Sequence, residues 1–498
     1  MTIDSKTGET FTYRKLAEES IRCAIWLKKQ GIKSGDVVVI CTENNIASWA
    51  PFCAVFYLGA NLNPWYCDWP ADTARYFINL TKPKIMFANE KAGRMLKEII
   101  KEEKIDTRIV VFGKVDGIDC FADVIKEQSA EDVKKFVCSS VNPDNDCLVL
   151  FSSGSTGLPK GVQFTHEGAF YIFHIFNAQF TKTEGMASMN PSAMYWISAI
   201  LHMMRCLLTT SPAIIISDPT PEEICRAIAK YKINWMFLGT GLMNDLSESQ
   251  ILAKYDLSSV KTLVFGGSKP RMEIVWNMNN ALVNAAMNQI YGCTELGATI
   301  IQLDDDKENI NYDSCGVVLS DVEMKVLDIK TGEILGPNQE GELHFKSKGM
   351  MKCYFKNPKA TEEGIDSDGW FHTGDLGYYD RKGNVYYANR IKELIKFRGH
   401  QISPLEIENV ILKHPGILDA AVVAVPHHLD DEHPIAFVTK AKKSEVSKEE
   451  LLEFTSVLGD TKKLRGGIIF LEKLPKTPNG KIDKKTLKEM AKIYAQST

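Results

Sequence analysis

Apolar residues along the chain fall in short runs, and the period of those runs alternates. A 3.6-residue period predicts a helix over 13–30, and the unbroken apolar run 37–40 that follows reads as a buried strand. The alternation continues with helices over 49–58 and 71–80, a strand over 85–87, a helix over 91–104 and a strand over 109–112. Cys147, Leu148, Val149 and Leu150 predict another strand. Beyond it, helices over 169–178, 195–208 and 222–230 interleave with strands over 213–216, 235–238 and 262–265. Such alternation predicts a mostly parallel sheet with helices on its faces. Over 300–387 the pattern shifts to short β segments with turn signals such as Lys330, Thr331 and Gly332, which predicts a β subdomain. Past Asn389 the pattern restarts: helix 404–413, strands 420–423 and 435–438, helix 448–458 and strand 468–470. The last hundred or so residues are enough to fold alone. The fold class expected is therefore α/β. A large N-terminal domain, 1–389, would carry α/β sheets and a β subdomain, and a small mobile α+β domain, 390–498, would act as its cap.

Composition narrows the function. At 498 residues and 44% hydrophobic, the chain exceeds what one core can organise. A formal net charge of -4, without a concentrated basic block, offers no field for nucleic acid or an anionic membrane, so a small-molecule partner is favoured. Twelve cysteines are scattered without CxxC pairs or zinc-type histidine spacings, and no secretory leader precedes them; they read as reduced thiols. No apolar run approaches the length of a bilayer span.

The chemistry concentrates in a few strings. Directly after the strand at 147–150 come Ser152, Ser153, Gly154, Ser155, Thr156, Gly157, Lys160 and Gly161. Glycines let a backbone fold tightly around an anion, hydroxyls donate, and Lys160 adds charge, so this stretch can cradle phosphate oxygens. It lacks the P-loop spacing, and on composition alone a polar surface loop is as good a reading. Next are Gly266 and Gly267 after a strand, and then Tyr291, Gly292, Cys293, Thr294 and Glu295. A ring can stack on a purine, a hydroxyl can bond phosphate or carboxylate, and a carboxylate can hold Mg²⁺; taken alone, the string is a turn. His372, Thr373, Gly374 and Asp375 read as a β-turn, although Asp375 could accept two ribose hydroxyls. The run from Arg390 to Gln401, with Lys392, Lys396, Gly399 and His400, reads by itself as a solvated basic helix. Lys481, after Pro478, Asn479 and Gly480, reads as a lysine in a polar turn.

In this order, over nearly the whole chain, these strings resemble the motifs of the adenylate-forming superfamily, which holds acyl-CoA synthetases, 4-coumarate-CoA ligases, insect luciferases and peptide-synthetase adenylation domains. The resemblance implies use of ATP, Mg²⁺ and CoA. It makes Ser152, Ser153, Gly154, Ser155, Thr156, Gly157 and Lys160 the phosphate loop. Gly266, Gly267, Tyr291 and Thr294 become the adenine and phosphate segment, Glu295 the Mg²⁺ ligand, and Asp375 and Arg390 the ribose contacts. Lys392 becomes the hinge, and Lys396, Gly399, His400 and Gln401 the thioester-forming face. Lys481, with Thr294 and Lys160, becomes the catalytic set that stabilises charge at the α-phosphate. Met194 and Trp196, with Gly266 and Ala298, would wall an acyl pocket; packing of a core helix explains Trp196 equally well. The chain departs from the family pattern at Ser268, Lys269 and Pro270 after the glycines, and at Asn389, where relatives commonly carry Asp.

Three functions follow. An acyl-CoA synthetase for a fatty or aryl acid keeps every motif. A luciferase-like monooxygenase fits 461–467, but Met194 stands where luciferases carry His, and Leu296, Gly297 and Ala298 replace a hydroxyl-rich run. A noncatalytic acyl or nucleotide binder fits Asn389 and a start that comes a few dozen residues into its relatives, which implies a first domain short of its usual first segment. No aspartate holds an amino group near Met194 and no carrier-domain serine motif follows, which speaks against amino acids. The ending Ala-Gln-Ser-Thr lacks the Ser-Lys-Leu peroxisomal address, so of cytoplasm and peroxisome the cytoplasm is favoured.

Overall fold

The polar strand Asn61–Trp65 shows how the first sheet is held together. All five of its residues are buried, yet it carries two asparagines and a proline. Asn63 donates to the carbonyl of Val149 at 2.8 Å and accepts from Trp65 Nε1 at 2.7 Å, while Gln163 donates to Asn61 Oδ1 at 3.1 Å. Each buried amide thus has a partner, which offsets the desolvation that would otherwise exclude it. Sequence pattern alone left this strand out.

The computed structural model describes residues 1–152, 159–180, 185–302, 311, 313–398, 400–477 and 481–497. Contacts divide the chain into two compact units. The first comprises Met1–Tyr312, Gly316–Glu323 and Lys346–Trp370; the second comprises Asp313–Cys315, Met324–Phe345 and Phe371–Thr498. This division and the boundary expected at 389/390 differ over the short β segments. Those segments group with the C-terminal residues because Phe371–Tyr379 pairs with Val385–Arg390, which continues into the turn Ile391–Glu393.

In the first unit, the described residues form two large sheets. The core of one is parallel: Val37–Cys41 lies between Asn61–Trp65 and Ile85–Ala88, and Arg108–Val111 follows. Val37–Cys41 is buried throughout, as expected of a strand covered on both faces. The second sheet runs parallel through Trp235–Gly239, Thr262–Gly266 and Ala286–Cys293, then turns back antiparallel in Gly297–Gln302. Helix Pro221–Tyr231, capped by Thr220, buries Ile224, Cys225, Ala227 and Ile228 against it. Helix Ile197–Thr209 starts two residues later than predicted, because Tyr195 and Trp196 pack on each other before it, with ring centroids 4.4 Å apart.

In the second unit a four-stranded sheet precedes a five-stranded one, in which Asp431–Lys440 is central and the long Ile417–His427 pairs along its outer side. Helix Pro404–Ile411 packs on one face, around Ile407, Ile411, Val422 and Val438; the C-terminal helix Lys484–Ser497 packs Leu487 and Ala491 on the other, against Val423 and Phe437. Two local readings are corrected here. The run 390–401 is not a basic helix: it ends a strand, makes one 3-10 turn and forms the hairpin Ile395–Phe397 with His400–Ile402. Ile395, Phe397 and Ile402 are buried between exposed charges, and that period of two is a strand's. His372 to Asp375 is likewise not a free turn but part of strand Phe371–Tyr379, where Gly374 at φ +67° interrupts the pairing. None of the twelve cysteines is placed in a disulfide.

Candidate active site

The phosphate-loop candidates sit at the open end of a hairpin. Strand Asp146–Ser152 pairs antiparallel with Lys160–Thr165, and Ser152 lies opposite Lys160. Ser153, Gly154, Ser155, Thr156 and Gly157 fall outside the described residues. On the far side of Lys160–Thr165 a third strand, Cys353–Tyr354, is added, with Tyr354 opposite Val162. Its placement sets the Tyr354 ring 4.6 Å from Lys160 Nζ, a cation–π distance. The same tyrosine donates its hydroxyl to Glu295 Oε1 at 2.9 Å, and the Met351 N–H donates to the Glu295 carbonyl at 2.7 Å. One tyrosine therefore joins the loop lysine to the carboxylate expected to hold a metal. Sequence reading missed Tyr354 because a tyrosine between Cys353 and Phe355 carries no local pattern.

Glu295 is 8% exposed and lies with Thr294 in the three-residue turn joining Ala286–Cys293 to Gly297–Gln302. Gly297, at φ +70°, closes that turn against Ile172. Among the described residues Tyr354 is the one side-chain partner of the Glu295 carboxylate, so its second oxygen is available to a hard cation. Tyr291 is half-buried on the strand before the turn, and Ala298 pairs with Gly292. Gly266 ends the neighbouring strand, where a Cβ would fall 2.6 Å from the Ile290 carbonyl oxygen; only glycine permits that approach. Gly267 follows at φ +99°, and Thr240 and Ser268 share a hydroxyl hydrogen bond beside it.

Met194 is buried and lines a small cavity of about 20 Å³ with Asn44, Trp49, His202 and Met203. Trp196 and Gly266 lie outside the lining of this cavity. His202, which sequence reading also missed, stacks on Trp235 with ring centroids 5.6 Å apart and bonds Ser188 Oγ at 3.0 Å. Burial holds its pKa down, at about 3, so the ring is neutral.

The remaining candidates belong to the second unit. Asp375 is 4% exposed, stands opposite Arg390 in the pairing of Phe371–Tyr379 with Val385–Arg390, and has Oδ1 3.1 Å from Arg390 Nε. Asn389, in the place of the usual aspartate, accepts from the Arg390 N–H at 2.7 Å and donates to Ser403 Oγ at 3.0 Å. Lys392 lies in the 3-10 turn Ile391–Glu393. Lys396 and Gln401 are exposed and opposite each other on the hairpin, His400 is exposed beside them, and Gly399 falls outside the described residues. Lys481 is exposed, with its carbonyl held by the N–H of Thr477 at 2.7 Å.

The "AMP-binding enzyme" family model matches residues 2–355, and that of the "AMP-binding enzyme C-terminal domain" matches 406–481. The chain belongs to the adenylate-forming, AMP-binding enzyme family. Within the family it is 32% identical to a luciferin 4-monooxygenase of Photuris pensylvanica, over 98% of this chain and 91% of that one. It is 30% identical to the 4-coumarate-CoA ligase CCL1 of Humulus lupulus, over 98% and 90%. The fold is similar to that of ATP-bound MatB from Rhodopseudomonas palustris, with a TM-score of 0.90, 23% identity and coverage of 99% and 96%. No helix among the described residues is long and apolar enough to cross a membrane.

Proposed function

We propose that this family member is an ATP-dependent acid–CoA ligase acting on a fatty or aryl carboxylic acid. The observation that supports it most is the link through Tyr354 between Lys160 and Glu295, in a chain 30% identical over 98% of its length to a 4-coumarate-CoA ligase. In the first half-reaction a carboxylate oxygen attacks the α-phosphorus of ATP, the bond to the β,γ-phosphates breaks, and acyl-AMP and pyrophosphate result. Ser152 and Lys160 bind the departing phosphates, Thr294 donates to the reacting oxygens, and Lys481 bridges carboxylate and α-phosphate. Asp375 accepts from the ribose hydroxyls, with Arg390 holding its carboxylate in place. The free oxygen of Glu295 fits Mg²⁺, which when bound neutralises charge on the phosphate oxygens. In the second half-reaction the CoA sulfur attacks the acyl carbonyl and AMP leaves; movement about Lys392 exchanges Lys481 for the face carrying Lys396, Gly399, His400 and Gln401.

A luciferase-like monooxygenase is the second reading, supported by the identity with the Photuris protein. Met194 and the run Leu296, Gly297, Ala298 weigh against light emission. The experiment is ATP- and Mg²⁺-dependent pyrophosphate release with fatty, cinnamic and luciferin-type acids, each with and without CoA, with light recorded throughout. Acyl-CoA formation from one acid class supports the ligase and names its substrate. Strong light from luciferin supports the second reading, and folded protein without release from any acid supports a nucleotide or acyl binder.

A further inference from the structure

The bulge that delivers Asp375 also assembles a cluster of metal-competent side chains. Glu342 and His344 are two residues apart on strand Gly341–Ser347 and so share a face. His344 lies opposite His372 on the neighbouring strand, with ring centroids 4.0 Å apart, while Glu342 is paired with Leu376. Thr373, Gly374 and Asp375 are the residues taken up in the bulge. One donor atom from each of Glu342, His344 and His372 lies within 4.8 Å of the other two.

His344 is the telling residue. It is 2% exposed, and neither ring nitrogen makes a hydrogen bond; Nε2 approaches Glu342 Oε2 at 3.2 Å without bonding geometry. A buried imidazole left this way costs stability unless something occupies its lone pair. Glu342 can offer a second donor oxygen to a cation seated on that lone pair without abandoning its own role, because Oε1 accepts the Gly374 N–H at 2.9 Å while Oε2 faces His344.

We propose that Glu342, His344 and His372 form a binding site for a divalent transition metal of the zinc class. Two imidazoles and one carboxylate leave a fourth tetrahedral position for water and select zinc-type ions over Mg²⁺ or Ca²⁺. Tetrahedral donors at zinc distances stand ~3.3 Å apart, so the cluster tightens slightly on binding. The ion would clamp the two strands on either side of Gly374, and with them the segment that ends in Asp375. The second histidine cluster, His427, Asp430 and His433, is a poorer candidate: both rings already lie on Asp430 Oδ2, at 3.4 and 2.8 Å, and Arg398 Nε holds Oδ1 at 2.5 Å.

The test is titration of the full-length, chelator-stripped protein with Zn²⁺, and with Co²⁺ for its visible spectrum. One ion should bind per chain, with tetrahedral Co²⁺ bands and no thiolate charge-transfer band, and should raise the thermal midpoint. His344→Leu suits a buried strand and should lose at least about tenfold in affinity, the usual lower bound for disturbing a metal shell. Glu342→Gln keeps an acceptor for Gly374 and should weaken binding similarly, which covers the case in which H344L fails to fold. The double variant H427A/H433A should bind as wild type. Unchanged affinity in both H344L and E342Q, loss of binding in H427A/H433A, or a thiolate band from any of the twelve cysteines would overturn the assignment.

Discussion

Tyr354 donates its hydroxyl to Glu295 at 2.9 Å while its ring lies 4.6 Å from the Lys160 ammonium. Two groups of the expected phosphate site, far apart in sequence, are thus fixed relative to one another by a third. Tyr354→Phe keeps the ring and removes the bond to Glu295. With the carboxylate less well oriented, the expected outcome is a higher Mg²⁺ requirement and roughly a tenfold slower adenylation, with little change in thermal midpoint. Tyr354→Ala should add a loss at Lys160 and lower both. Steady-state pyrophosphate release against Mg²⁺ concentration checks this; identical Mg²⁺ curves for wild type and Y354F would remove Tyr354 from the site.

Lys481 is exposed, and its carbonyl accepts the Thr477 N–H, a backbone bond that substitution of the side chain leaves in place. Its substitution should therefore leave folding intact. Lys481→Ala is expected to slow adenylate formation by about 10²–10³, the cost of one preorganised charge partner in a transition state, while ATP binding changes little. Single-turnover adenylation beside equilibrium ATP binding separates the two. Full activity in the mutant would contradict the role proposed for this lysine.

How much of this was legible beforehand depended on where the determining forces act. The run Val37–Cys41 and the capped helix Pro221–Tyr231 declare themselves locally, by continuous burial and by a Thr-Pro start. Asn61–Trp65 does not, because its amides are satisfied by Val149 and Gln163, residues roughly a hundred positions away in the chain. The functional strings were visible as residue types in order, and Asp375 and Arg390 do stand opposite each other. Tyr354, His202 and His344 were invisible for the same reason as the polar strand: their partners come from other strands. The basic run 390–401 misled because its charges were counted before the alternation of Ile395 and Phe397.

Next to the hinge candidate Lys392, Glu393 shares Lys484 with Glu408, at 3.1 and 3.3 Å. Burial works against the charge on Lys484, but the two carboxylates outweigh it and hold its pKa above the ordinary lysine value. Breaking one side of a fully buried pair costs about 3–5 kcal/mol. With 24% of the Lys484 side chain exposed, solvent screening reduces the expected loss for Lys484→Ala to about 2 kcal/mol. The contribution is complete below the unfolded lysine pKa and fades as pH rises through the higher folded one. Urea midpoints at neutral and strongly alkaline pH should therefore converge for wild type and K484A; a constant gap would assign the effect to packing.

His202 provides the opposite sign. In the folded chain its pKa is held at about 3 by burial beside Trp235, with Arg205 adding to the effect; unfolded, it returns to about 6.5. Below the unfolded value the unfolded chain takes up a proton that the folded chain refuses, so stability falls with decreasing pH through that window. The slope approaches about 1.4 kcal/mol per pH unit and levels off near the folded value. Replacing the ring by an amide, His202→Gln, removes the proton uptake, so the variant should lose stability at pH 7 through poorer stacking and yet fall less steeply toward pH 4. Unfolding midpoints at pH 7, 5.5 and 4.5 provide the measurement. Parallel wild-type and H202Q curves would show that the acid sensitivity of this unit lies with its carboxylates, and that the Ser188–His202 bond holds the strand Ser188–Met189 to its helix without acting as a pH-sensitive joint.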